Sequence, residues 1–349
     1  MTIEMTSEMT SLERVRATIA GTPRDRPPVQ PMLMTFAGKH AGIPFGDYCR
    51  DGERMAAAQL AVWRDFGLDI LLTCSDPARE VIDLCGEGSV RWYPDQPPAI
   101  DETDAALKNK ARLAQLKIPD VHAGRMGDRI KAIRILRREA GADACVVGWV
   151  EGALALAAEL RGINALMTDF YDDPQFVHEL LTFCADLSIR YAAAQVEAGA
   201  DSIGMSDAAA SLIGPTFYHD FLWSQQIRIL QAASAAGAMT RVHMCGCTDA
   251  LLTDMEKLPA DVYELDFLTD LALAAQRLGP DRALCGNIDT ISTMLEGGVE
   301  QVTAAAEICH RLGGTRLIVA PGCEVAPFTP PDNVRALVNF ARSLEKTDT

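Results

Sequence analysis

The sequence predicts an α/β fold, a single (β/α)8 TIM barrel with an elaborated N-terminal region. Three observations predict it. Eight short apolar runs alternate with longer helical patterns over 349 residues. Most of these runs are apolar on both faces, as strands of a parallel sheet covered on both sides are. Polar residues gather where the runs end, which is where such barrels build their sites.

The runs fall at residues 27–34, 68–76, 143–152 and 200–207, then at 239–246, 261–267, 282–289 and 315–324. Most are preceded by Gly, Pro or Asp, which punctuate strands. Helices fill the gaps. Asp172-Asp173-Pro174 supplies an acidic cap and a proline in the first turn, and Phe176, Val177, Leu180, Leu181, Cys184 and Leu187 form the apolar stripe that follows. A second helix runs from Pro215 through Phe217, Phe221, Ile227 and Leu230. The last spans Pro331 to Leu344 and carries Val334, Leu337, Val338 and Phe340. Residues 85–125 mix prolines and charges and predict an elaborated loop with short helices. Residues 1–10 are expected as a flexible tail. Residues 11–349 are expected as one domain, because such barrels run to about 250 residues or more as a single unit.

Composition narrows the function. The chain holds 32 Lys and Arg against 48 Asp and Glu, for a net charge of −16. A surface this acidic repels phosphate backbones and no basic patch offsets it, so a nucleic-acid partner is not expected. No stretch reaches the roughly 18 apolar residues of a membrane span. The opening MTIEMTSEMTS is polar and acidic, without the apolar core of a signal peptide. The 10 cysteines are spread along the chain and do not form a small disulfide framework. A cytoplasmic, reducing setting is the expectation, in which some thiols act as metal ligands.

The strand-end residues are Asp76, Glu151, Asp207, His243 with Cys245, Asp266, Asn287 with Asp289, and Cys323 with Glu324. Turn chemistry accounts for part of this set, since Asp and Asn favour loop starts and helix caps. His243-Met244-Cys245-Gly246-Cys247 is the sharpest signal. On a strand, His243 and Cys245 share a face about 7 Å apart, a span that a common metal ion can close if the strand end bends. Cys323, in the turn Pro-Gly-Cys-Glu, is the best third ligand. One imidazole and two thiolates favour zinc and leave a fourth position open, as catalytic sites do. A packed histidine beside a small buried thiol is the competing explanation, and Cys247 competes with Cys245. No phosphate-binding loop, dinucleotide fingerprint or serine-hydrolase elbow is present.

The chain resembles the uroporphyrinogen decarboxylase superfamily from about Ser11 to its end. LERVRATIAGTPRDRPPV is similar to that family's first helix and strand, and SLIGPTFYHDFLWSQQIRI to the stretch before strand five. LDFLTDLALAAQRLGPDRALCGNIDT resembles the block from strand six to strand seven. The true decarboxylases carry an arginine-rich Met-Arg-Gln-Ala-Gly-Arg segment that grips propionates. Here Pro31 to Lys39 reads PMLMTFAGK, without those arginines. His243-x-Cys245, Gly322-Cys323-Glu324 and the closing PFTPPDNVRAL are instead similar to the cobamide-dependent methyltransferase branch, the methylcobamide:coenzyme M methyltransferases and their relatives.

The resemblance implies a zinc-dependent methyltransferase of the EC 2.1.1 type. It would move a methyl group between a corrinoid (methylcobalamin on a carrier protein) and a small substrate, either a thiol or folate acceptor or a methoxylated donor. It implies Zn2+ on His243, Cys245 and Cys323, with Glu151, Cys247 or water as the fourth ligand. Glu151 and Asp207 are expected in catalysis or substrate orientation, and Asn287 and Asp289 at the corrinoid. The corrinoid would come from a partner, because no Asp-x-His-x-x-Gly motif is present. A monomer or homodimer is expected. The alternatives are a decarboxylase for a smaller acid and a non-catalytic barrel that binds the carrier through a structural zinc site.

Overall fold

The computed structural model describes residues 9–346. Its centre is a seven-stranded parallel sheet whose strands follow one another in chain order. These are β1 (Ile70–Leu72), β2 (Cys145–Glu151), β3 (Ser202–Ser206), β4 (Met239–Met244), β5 (Val262–Leu265), β6 (Ala283–Cys285) and β7 (Leu317–Ile318). Each lies inside one of the expected runs. Helices connect successive strands, as a parallel sheet requires.

The remaining run, 27–34, makes no ladder. It forms isolated parallel bridges at Val29 and Met32. Asp69 N, just before β1, donates to Val29 O at 3.3 Å, while Gln30 N donates to Val319 O at 3.0 Å. The sheet therefore curls until both of its edges bond the same segment. Pro27, Pro28 and Pro31 explain why that segment stays irregular, since none has an N–H to give to a ladder.

The helices follow their sequence signals. Asp173 caps Pro174–Glu197, accepting from Phe176 N, and all six expected stripe residues are buried. The helix expected from Pro215 is interrupted: Gly214–Phe217 passes through a π turn, Tyr218–Leu222, into Trp223–Ala235. Pro331–Ser343 closes the chain. Residues 85–125 hold a two-stranded antiparallel pair, Val90–Arg91 with Ala99–Ile100, and short 3-10 turns. Of the expected tail, residues 1–8 lie outside the described residues. Met9 N donates to Asp25, and Thr10 forms a capping box with Glu13 on Ser11–Ala20.

Alternation along the strands creates two cores. Ile203, Met205, Val242 and Tyr263 face outward and pack with the helices. Ile70, Leu72, Val147, Trp149, Val262 and Ile318 fill the inside of the curl, with Leu12 and Val15 of the first helix. A polar layer lies among them. Gln30 Nε2 donates to Glu264 at 2.8 Å, Arg241 Nη1 reaches the same Glu264 oxygen at 3.2 Å, and Arg241 Nε donates to Ser202 at 3.0 Å. At the N-terminal end, buried Asp69 accepts from Ser11 Oγ, Arg14, Arg26 and Val29 N, tying the first helix to β1.

Trp149 reaches across to β3 only because residue 204 lacks a side chain. A Cβ on Gly204 would lie 2.4 Å from the indole. Gly204→Ala should therefore cost about 1–3 kcal/mol of stability through overpacking, measured by urea unfolding. An unchanged midpoint would show that Trp149 is free to move.

Candidate metal centre

The C-terminal ends of the strands share one mouth, and their register sets its lining. Glu151 of β2 pairs with Ser206 of β3, Ser206 with His243 of β4, and His243 with Glu264 of β5. β4 stops at Met244, and Gly246 turns the chain with φ +83°. A side chain at Gly246 would also strike Ser211 Oγ at 2.6 Å. This bend brings Cys245 back toward His243. Across the mouth, the turn after β7 presents Cys323. Gly322 lets that turn approach Phe267 N, which a Cβ would meet at 2.3 Å.

His243, Cys245 and Cys323 thus form the one group of metal-ligating residues found among the described residues. Cys245 Sγ lies 3.3 Å from His243 Nε2, Cys323 Sγ 3.9 Å from the same nitrogen, and the sulfurs 4.0 Å apart. Tetrahedral zinc, with bonds of about 2.3 Å to sulfur and about 2.0 Å to nitrogen, would set about 3.8 Å between sulfurs and about 3.5 Å between sulfur and nitrogen. The trio fits such an ion with one coordination position left over. Its charges suit a cation. The hydrogen bond from Cys245 pulls the Cys323 thiol down to about 4, against burial and with help from His243. The same bond, together with burial, pushes the Cys245 thiol far upward. A cation between them would displace that held proton.

Neither Glu151 nor Cys247 belongs to the trio. Cys247 is exposed. Glu151 is 5% exposed, and its backbone oxygen accepts from Ser188 Oγ at 2.7 Å. Burial and then Glu80 hold its carboxyl well above the usual range. Asp207 is fully buried, and both its oxygens are taken. Oδ1 accepts from Leu154 N and Ala155 N at the start of the helix Ala153–Arg161, and Oδ2 accepts from Gln226. Gly152 makes room for this cap, since a Cβ there would overlap the carboxyl at 2.1 Å. Asn287 donates to Asp266 O and Thr269 O. Thr269 Oγ1 in turn donates to Gly246 O at 3.2 Å, so Asn287 braces the loop beside Cys245. Asp289 caps its own turn through Ile291 N and Ser292 N.

Sequence reasoning named Asp76 and Glu324 but missed the partners that the structure gives them and the charges beside them. Asp76 takes Arg125 in two bonds of 2.8 Å. Arg79 is fully buried, 3.2 Å from Glu80 and 3.9 Å from Glu151. Thr35 donates to Glu324 at 2.6 Å through its hydroxyl and at 2.9 Å through its N–H. The signal available was the Arg79-Glu80 pair, set in an otherwise apolar helix start directly after β1.

A curled parallel sheet with a His/Cys/Cys trio at its strand ends defines an α/β protein whose sheet opens on a candidate metal site. Comparison with known proteins agrees with the fold. The chain matches the family described as "Uroporphyrinogen decarboxylase (URO-D)" over residues 10–344, and it belongs to that family. A relative named "Methylcobamide:CoM methyltransferase MtaA", from Methanosarcina barkeri (strain Fusaro / DSM 804), is 29% identical over 343 residues, covering 95% of this chain and 97% of the relative. A "Uroporphyrinogen decarboxylase" from Rhodococcus opacus (strain B4) is 30% identical over 322 residues, 87% of this chain and 86% of that protein. A solved structure described as a methyltransferase from Methanosarcina mazei superposes with a TM-score of 0.87 at 26% identity, covering 97% of this chain and 99% of that one.

Asp207→Ala should lower stability by about 2–4 kcal/mol, because it strands two helix N–H groups and the Gln226 amide in a buried site. Chemical denaturation checks this. A loss below about 0.5 kcal/mol would mean that water replaces the cap without cost.

Proposed function

We propose that the chain transfers a methyl group between a corrinoid, presented by a carrier protein, and a small substrate whose heteroatom is held by zinc on His243, Cys245 and Cys323. The observation that carries this reading is the triangle of 3.3, 3.9 and 4.0 Å, which matches three corners of a tetrahedron. Similarity to the methylcobamide methyltransferases supports the reaction class. In this reading the segment 28–32 serves as the eighth strand of a (β/α)8 barrel.

Zinc, when bound, supplies a Lewis acid that lowers the pKa of a bound thiol or polarises a bound oxygen. The residues around it do the rest. His243 and the two cysteines leave one position facing the mouth. Trp149 and the Arg241–Glu264–Gln30 layer fill the interior beneath and keep bulk water from entering from below. Asn287 and Thr269 fix the loop that carries Cys245. Asp207 places Gly152, and with it Glu151, by capping the next helix. Asn287 and Asp289 shape the rim over which the corrinoid would lie, through the loops they brace and not by direct coordination.

The tetrapyrrole decarboxylase reading has less support, because the segment 31–39 offers one cation, Lys39, where the decarboxylase clamp carries arginines. No described helix is long and apolar enough to cross a membrane. A reducing cytoplasm suits a site built on two thiolates.

Purified protein should hold about one zinc per chain. His243→Ala and Cys323→Ser should each remove it and lower methyl transfer with free cobalamin at least about 100-fold. Thermal unfolding should stay within a few degrees, since both residues sit at the mouth. Full zinc and full transfer in either variant would refute the site.

A further inference from the structure

The imidazole of His243 has one nitrogen accounted for and one free. Nε2 faces the two thiols, 3.3 Å from Cys245 and 3.9 Å from Cys323. Nδ1, on the other side of the ring, has no hydrogen-bond partner among the described residues, although His243 is only 3% exposed. A histidine that binds a metal normally fixes its ring by donating the second N–H to a carboxylate, a carbonyl or a water. The neighbouring strands do not supply such a group. Ser206 of β3 and Glu264 of β5 stand in register with His243, and Glu264 Oε1 is taken by Gln30 and Arg241. The last side-chain torsion of a histidine is soft, so the plane of this imidazole is set by what packs against it.

What packs there is Trp149. The two ring centroids are 6.3 Å apart and the planes meet at 48°, within the range at which aromatic rings attract one another. The contact reaches over a whole strand. Trp149 of β2 pairs in register with Gly204 of β3, and Gly204 pairs with Arg241 of β4. Because residue 204 has no side chain, the indole lies across β3, where a Cβ would stand 2.4 Å from its six-membered ring. The ring therefore meets His243 from beneath, since His243 is two residues beyond Arg241 toward the mouth. Trp149 is 2% exposed and belongs to the inner core with Val147 and Ile70. Close packing leaves it little room to withdraw.

We infer that Trp149 is a positioning residue of the metal centre: its indole holds the His243 imidazole with Nε2 turned to Cys245 and Cys323, in place of a hydrogen bond on Nδ1. This rests on the metal reading above and adds to it the group that orients one of the three ligands. Gly204 is part of the same device, because a side chain there would push the indole off its line to β4. Removing the ring frees the imidazole to turn and loosens its hold on the ion. The two thiols stay in place, because the turns at Gly246 and Gly322 set them independently of Trp149. A smaller aromatic ring at 149 keeps the contact in part, whereas an aliphatic chain of similar bulk does not.

The test uses full-length protein loaded with zinc, or with Co(II) as its visible stand-in, and measures metal affinity by competition with a chelator. Trp149→Leu should bind zinc about 10-fold more weakly than wild type, and Trp149→Phe should stay within about 3-fold. In the Co(II) spectra, Trp149→Leu should keep the thiolate-to-cobalt charge-transfer bands and shift the ligand-field bands, which a general loss of structure would not do. Ile70→Ala is the control for stability alone, since Ile70 opens β1 at the end of the inner core away from the mouth. It should lower the unfolding midpoint and leave zinc affinity at the wild-type value. If Trp149→Leu does not fold, Trp149→Met is measured in its place, because methionine fills volume without a ring. The assignment is overturned if the aliphatic variant holds zinc as tightly as wild type, or if Trp149→Phe weakens binding just as much. It is equally overturned if Ile70→Ala weakens binding to the same extent. Failure of the metal reading looks different and takes this assignment with it: wild type then binds no zinc and shows no thiolate-to-cobalt bands.

Discussion

The site depends on the curl of the parallel sheet. Cys323 is 80 residues from His243, and the two meet because the turn after β7 swings back toward the end of β4. The bonds that hold this curl are few. Asp69 and Val319 bond the irregular segment around Val29 from opposite edges, and buried Asp69 gathers the first helix, Arg14 and Arg26 onto the same point. Loosening that closure would separate the ligands before it exposed much of the outer core.

The interior shows how charge is managed in a closed space. Arg241 and Glu264 sit beneath the trio with Gln30 and Ser202 completing their bonds, so the buried pair is satisfied on several sides. Such a pair need not add stability over an apolar core. What it does add here is a polar floor beneath the trio, with its hydrogen bonds made within the layer. Behind the mouth the balance is tighter. Asp76 takes Arg125, while buried Glu80 and Glu151 share the single guanidinium of Arg79, at 3.2 and 3.9 Å.

Much of this was legible in the sequence, for definable reasons. Strands covered on both faces are nearly continuous apolar runs, so seven of the eight expected runs contain ladders. The run at 27–34 also carries apolar residues, Val29, Met32, Leu33 and Met34, but its prolines remove the donors a ladder needs. His243, Cys245 and Cys323 were readable because their residue types have few other reasons to share a turn context. Asp207 and Asp289 carried the same signature as site residues, yet the folded chain uses them as caps: periodicity shows where a carboxylate sits but not which N–H groups will reach it. Arg79 and Glu80 were missed because a charged pair at a helix start usually faces solvent, whereas here Gly124–Ala140 and Ala153–Arg161 pack against their helix and Tyr191 lies against Arg79.

The most direct test of the account is X-ray absorption at the zinc edge of the metal-loaded protein. Two sulfurs at about 2.3 Å and one nitrogen with one further light atom at about 2.0 Å are predicted. Three sulfurs would bring Cys247 into the site and make it closed and structural, and a shell of light atoms alone would show that His243, Cys245 and Cys323 do not hold the metal.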